Sequence, residues 1–116
     1  MKRFILCSLL LLAPMLASAE SPPFIGCGAT GCIGVWGSIY VTASGDVHIT
    51  KPDGANTSPL QCTLSEGLYF TLKRAHPGFK EIYGLLLTAQ ATQKNVFLRA
   101  LESSVDCELV YAVVYP

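Results

Sequence analysis

The first question is whether any residues are spaced for catalysis. The 116-residue chain carries two histidines, His48 and His76. A nucleophile–base–acid arrangement needs one of them beside a hydroxyl or thiol and an orienting carboxylate. No Gly-x-Ser-x-Gly or comparable nucleophile word occurs. The carboxylates show no spacing that marks an acid/base pair. The glycines from Gly26 to Gly34 do not read as a phosphate cradle, because no lysine follows and no helix starts there. The residues therefore predict a non-enzymatic protein with no cofactor and no metal.

The cysteines depend on the compartment, which the N-terminus sets. Lys2 and Arg3 precede an apolar run, Phe4 to Leu12, broken only by Ser8. Ala17-Ser18-Ala19 supplies the small residues of a cleavage site. The pattern predicts a signal peptide over 1–19, cut before Glu20. The run is shorter than the ~20 apolar residues that span a bilayer, and Pro14 interrupts it, so no membrane insertion is expected after cleavage. A secreted or periplasmic destination follows. Cys7 leaves with the leader, and Cys27, Cys32, Cys62 and Cys107 remain. Four cysteines in an exported chain read as two disulfides with three pairings open. We favour Cys27–Cys32, closing the Gly-Ala-Thr-Gly loop, and Cys62–Cys107, tying mid-chain to the last strand. A four-thiolate zinc site competes, with a loose Cys-x4-Cys half and two cysteines far apart.

Binding is the stronger expectation. Trp36, Ser38, Tyr40 and Thr42 alternate with the core-facing residues of a first strand, with His48 and Thr50 beside them. Aromatic rings interleaved with hydroxyls suit sugar faces and protein interfaces alike. The competing reading is that Trp36 covers one end of the core. The whole chain has eight Lys/Arg and eight Asp/Glu, and losing Lys2 and Arg3 leaves the mature chain net negative. No basic patch remains to neutralise phosphates, which argues against nucleic acid and a polybasic membrane site.

Elements that would position these residues follow from periodicity. Residues 20–34 read as an irregular Gly/Pro-rich arm holding the small disulfide loop. Val35, Ile39 and Val41 open the first strand. A turn at Ser44-Gly45-Asp46 leads to Val47 and Ile49. A three-residue loop pairing Val41 with Ile49 and Thr42 with His48 keeps both faces consistent, with Gly45 or Asp46 left-handed. Lys51 to Pro59 is turn-rich, and its Asn56-Thr57-Ser58 formally matches a glycosylation acceptor. A third strand covers Leu68 to Lys73, with Leu68, Phe70 and Leu72 on one face.

A helix covers Phe79 to about Gln93, with Pro77 in its first turn. Its apolar residues span about 200° of arc, against about 100° for an ordinary stripe. Asn95–Leu101 forms the fourth strand. The fifth, Cys107–Tyr115, is apolar on both faces, so it is either central or lies at an interface. Excess apolar surface on the helix and this strand marks Leu85, Leu87, Tyr111 and Tyr115 as contacts between copies. The order β-β-β-α-β-β, mostly β with one helix, is that of the OB-fold, a five-stranded partly open barrel, here over residues 35–116. A small α+β roll is the alternative.

The stretch from His76 to Val96 (HPGFKEIYGLLLTAQATQKNV), Arg99, and Asp106 to Tyr111 (DCELVY) resembles a group of small exported bacterial proteins. That group is similar in layout to the B subunits of subtilase-cytotoxin and pertussis-like A–B toxins. The resemblance covers Val35 to the C-terminus and rests on strand order, helix position and cysteine placement. It implies an OB-fold and a ring that binds cell-surface glycans, with helices lining its pore. No sugar-binding residue of that family maps onto a numbered position, and no enzymatic A-subunit domain is present. The expected function is thus an oligomeric, toxin-B-subunit-like module recognising a glycan or an exported protein. The rival is a monomeric periplasmic inhibitor or adaptor.

Overall fold

The computed structural model describes residues 21–116; the expected leader lies outside them. These residues build seven short strands and one helix. The strands are β1 (Gly26–Gly28), β2 (Gly31–Gly34), β3 (Ile39–Val41), β4 (Val47–Thr50), β5 (Tyr69–Leu72), β6 (Val96–Ala100) and β7 (Leu109–Val114); α1 (Phe79–Ala91) lies between β5 and β6. They form two antiparallel sheets, β1-β2-β6-β7 and β3-β4-β5. Among the described residues these do not close into a barrel, so seven strands in two sheets replace the expected five. The sheets meet at one parallel bridge, Thr71 to Glu108. There the Thr71 N–H donates to the Cys107 carbonyl at 3.2 Å.

The Gly-rich segment corrects the expectation of an irregular arm. Gly26–Gly28 and Gly31–Gly34 form a hairpin, and β2 pairs along β6 from Gly31 opposite Arg99 to Gly34 opposite Val96. Composition alone marked these residues as breakers, but tertiary pairing overrides local propensity. Glycine is required at position 31, where a Cβ would sit 1.9 Å from the Leu98 carbonyl oxygen. The favoured disulfides are both present. Cys27–Cys32 joins directly opposite residues of this hairpin, and Cys62–Cys107 spans 45 residues. Pairing removes the thiolates that a zinc site would need. The disulfides fit an oxidising extracellular or periplasmic environment.

The β3–β4 hairpin keeps the expected faces but not the expected pairs. Ile39 faces Ile49, Tyr40 faces His48 and Val41 faces Val47. The three-residue loop is centred one residue earlier, at Ser44, closed by Thr42 N–H to the Asp46 carbonyl at 2.7 Å. Gly45 takes the left-handed position, with φ +88°. Moving the pairing by an even number of residues leaves every side chain on its intended face, so hydrophobic alternation could not distinguish the two registers.

Val47, Ile49, Phe70 and Leu72 from one sheet meet Leu98 and Leu109 from the other in the core. Helix α1 buries Phe79, Leu86 and Ala89, with Ile82 and Tyr83 half-buried alongside. That stripe has ordinary helical spacing. Leu85 and Leu87 fall outside it and stay 40% and 42% exposed. Pro77 precedes the Gly78 cap rather than opening the first turn. Strand β7 is an outer strand of its sheet, not a central one. A register shift opposite Arg99 and Ala100 makes Val110 an extra residue. Val110, Tyr111 and Val113 are consequently exposed while Leu109 is buried.

Candidate functional site

Alternation along three neighbouring strands builds the candidate site. In β3 and β4, Ile39, Val47 and Ile49 turn toward the core, so Tyr40, His48 and Thr50 turn outward. In β5, Phe70 and Leu72 turn inward, which sends Tyr69 to the outer face; Thr71 shares that side of the strand but is buried where β5 meets the start of β7. Register then sets the neighbours. Tyr40, His48 and Thr71 form one row across the sheet, and Ser38, Thr50 and Tyr69 the next.

The result is an aromatic cluster. The His48 ring stacks on Tyr69 at 5.1 Å between centroids, with an interplanar angle of 20°. Tyr40 sets its ring edgewise to both, 5.2 Å from His48 and 5.3 Å from Tyr69. The Tyr40 hydroxyl and His48 Nδ1 are hydrogen-bonded at 2.8 Å. With the imidazole proton on Nε2, the phenol donates. Hydroxyls of Ser38 and Thr50 bond each other at 2.7 Å along the margin. Tyr40 is 40% exposed. Partial desolvation, the Tyr69 hydroxyl and the negative charge of Glu66 raise its phenol above the ordinary tyrosine value. Glu66 itself is exposed, in the turn that precedes β5.

Two of the expected face residues have other work. Trp36 is buried, with Nε1 donating to the Val96 carbonyl at 2.8 Å and its ring edgewise to Phe70 at 4.9 Å. It is a core residue, not part of the outer face. The bend between β2 and β3 explains this: Gln90 Nε2 donates to the Gly37 carbonyl at 2.6 Å, and strict alternation does not run back through Gly37. Thr42 gives its hydroxyl to a bond with Ser44 at 2.9 Å in the hairpin loop. Tyr69, absent from the sequence-derived set, completes the cluster. Its signal was the same alternation that put Leu68, Phe70 and Leu72 together.

The two cations that follow β5 are engaged. Lys73 reaches Asp106, which holds its ammonium above the ordinary lysine value. The Arg74 guanidinium lies 4.7 Å over the Phe79 ring. His76 is spent on structure. Its Nδ1 accepts from the Gly78 N–H and its Nε2–H donates to the Val110 carbonyl, each at 2.9 Å. Neither histidine is hydrogen-bonded to a serine, threonine, cysteine or carboxylate among the described residues.

Of the residues expected to join copies, Leu85, Leu87 and Tyr111 are exposed and Tyr115 is half-buried. Tyr115 lines a groove of about 680 Å³ with Gly84, Leu85, Thr88 and Val114, beside the buried stripe of α1, whose Ala89 also borders it. No helix among the described residues is long and apolar enough to cross a membrane. No family model, curated protein or solved structure matches the chain.

Proposed function

We propose that this chain is an exported, non-enzymatic binding module that recognises a glycan through the outer face of β3-β4-β5. One observation carries the reading: Tyr40, His48 and Tyr69 converge on an open sheet face bordered by Ser38 and Thr50. Aromatic rings offer a sugar its apolar stacking surface, and the hydroxyl margin answers its polar edge. Such a face holds one sugar weakly, so copies of the module would gain by avidity. Exposed Leu85, Leu87 and Tyr111 supply apolar surface for association.

The proposed architecture is an open OB-type barrel in which β2 and β3 are two halves of one bent strand. Support comes from β2 pairing with β6 while β3 pairs with β4, and from the parallel contact of β5 with the start of β7. This reading shares the layout of the toxin B subunits that the sequence resembles. The test is a glycan array probed with the mature oxidised protein, beside Tyr40→Ala. Binding that falls at least tenfold in the variant, with an unchanged melting temperature, supports the reading. Equal binding by both removes this face from recognition.

A second reading, a monomeric periplasmic inhibitor or adaptor, is favoured by the exposed Val110, Tyr111 and Val113 on outer strand β7. An apolar strand at a sheet edge is a template for pairing with another protein. Light scattering separates the two. A mass several times that of one chain supports the associating module, and a monomer supports the adaptor.

A further inference from the structure

The charges around the aromatic cluster restrict the kind of sugar it can take. Six cationic side chains fall within the described residues, and most are engaged or remote. Lys73 is bound to Asp106 and Arg74 covers Phe79. Arg99 lies 3.5 Å from Glu102 in the other sheet. Lys80 is on α1 and Lys94 follows it. Lys51 lies one residue past Thr50, at the end of β4, out of step with the outward-facing His48 and Thr50. Against these, Glu66 lies in the turn leading to Tyr69, next to Ser65, whose bridge to Tyr69 holds that turn against the cluster, and its charge acts on the Tyr40 phenol. The face thus offers two tyrosines, an imidazole, two hydroxyls and a carboxylate, with no unpaired cation aimed at them.

Resting on the reading above, we infer that the Tyr40–His48–Tyr69 face selects an uncharged hexopyranose over sialylated or sulfated glycans. An acidic sugar would bring its charge toward Glu66 without a guanidinium or ammonium to meet it, and burying such a charge unpaired is costly. A neutral sugar sets its C–H face on a tyrosine ring and donates a hydroxyl to the Glu66 carboxylate. A hydrogen bond to a charged acceptor is about twice as strong as a neutral one.

Surface plasmon resonance on the full oxidised protein tests this with a lactose-terminated oligosaccharide, its sialylated form and its sulfated form. The neutral probe is expected to bind at least tenfold tighter than either acidic one. Glu66→Gln is expected to narrow that preference, weakening the neutral probe and admitting the acidic ones. Lys51→Met is expected to leave all three unchanged. Equal or tighter binding of an acidic probe that Tyr40→Ala abolishes keeps the face as the site and overturns the selectivity. Binding of any probe that Tyr40→Ala and Tyr69→Ala leave intact overturns the site itself. Failure of all three probes to bind at millimolar concentration overturns both.

Discussion

The two disulfides should be worth different amounts, and the difference is set by chain length. Cys62–Cys107 closes a separation of 45 residues, and Cys27–Cys32 a separation of 5. Chain-entropy arithmetic gives about 4 kcal/mol for the first and about 2 kcal/mol for the second at 25 °C. The long bridge also anchors the joint between the sheets. The Cys107 carbonyl accepts the Thr71 N–H there, and Cys107 adopts a left-handed φ of 43° that the surrounding contacts must hold. Cys27 and Cys32, by contrast, are already opposite each other in a hairpin whose two-residue turn keeps them near.

Replacing each pair by alanine and unfolding in urea measures both terms, with the buried Trp36 as the fluorescent reporter. The Cys62→Ala/Cys107→Ala protein should lose about 4 kcal/mol, a large part of the ~5–15 kcal/mol a small domain has. Cys27→Ala/Cys32→Ala should lose about 2 kcal/mol. Equal losses, or a larger loss for the short bridge, would refute the loop-closure reasoning.

Three further outcomes are expected. Trp36→Phe leaves the Val96 carbonyl without its donor and should cost about 1–3 kcal/mol by thermal unfolding, with glycan binding unchanged; lost binding at full stability would return Trp36 to the recognition face. Thr71 is 2% exposed and its hydroxyl finds no protein partner, so Thr71→Val should be neutral or stabilising by up to about 1 kcal/mol, and a clear drop in urea midpoint would contradict that. Asp106 raises the Lys73 ammonium above its ordinary 10.5, so this pair stabilises fully below that value and its contribution fades as pH rises through the higher folded value. The stability gap between the native protein and Lys73→Met should therefore stay constant from neutral to mildly alkaline pH and shrink only in strong alkali; a gap that already shrinks between neutral and mildly alkaline pH would contradict it.

Much of the fold was legible because period-2 alternation is strong in β4, β5 and β6. Val47 and Ile49, Phe70 and Leu72, and Val96, Leu98 and Ala100 are all buried as their spacing predicts. The disulfide pairing was legible because one Cys-x4-Cys loop leaves only one partner for each remaining cysteine. Where the chain escapes local pattern, reading failed. The hairpin of Gly26–Gly34 exists through β6 and Cys27–Cys32, which composition does not reveal. Trp36 was placed on the outer face by carrying alternation across Gly37, where the strand is interrupted. Tyr69 follows from the same alternation as the outward neighbour of buried Phe70, whereas Leu68, expected on the core face with Phe70 and Leu72, lies just before β5 and is 44% exposed. Strand β7 was read as apolar on both faces, and it is; the bulge at Val110 and its outer position decide that much of that surface meets solvent.

Recognition by the outer face of β3-β4-β5 is the central claim, and amide chemical-shift mapping tests it most directly. The oxidised mature protein would be titrated with the neutral oligosaccharide that the array ranks first. Shifts concentrated at Ser38, Tyr40, His48, Thr50 and Tyr69 are the predicted result. Shifts concentrated along β7 and the α1 groove at Leu85, Thr88 and Tyr115, with the β3-β4-β5 face silent, would contradict it.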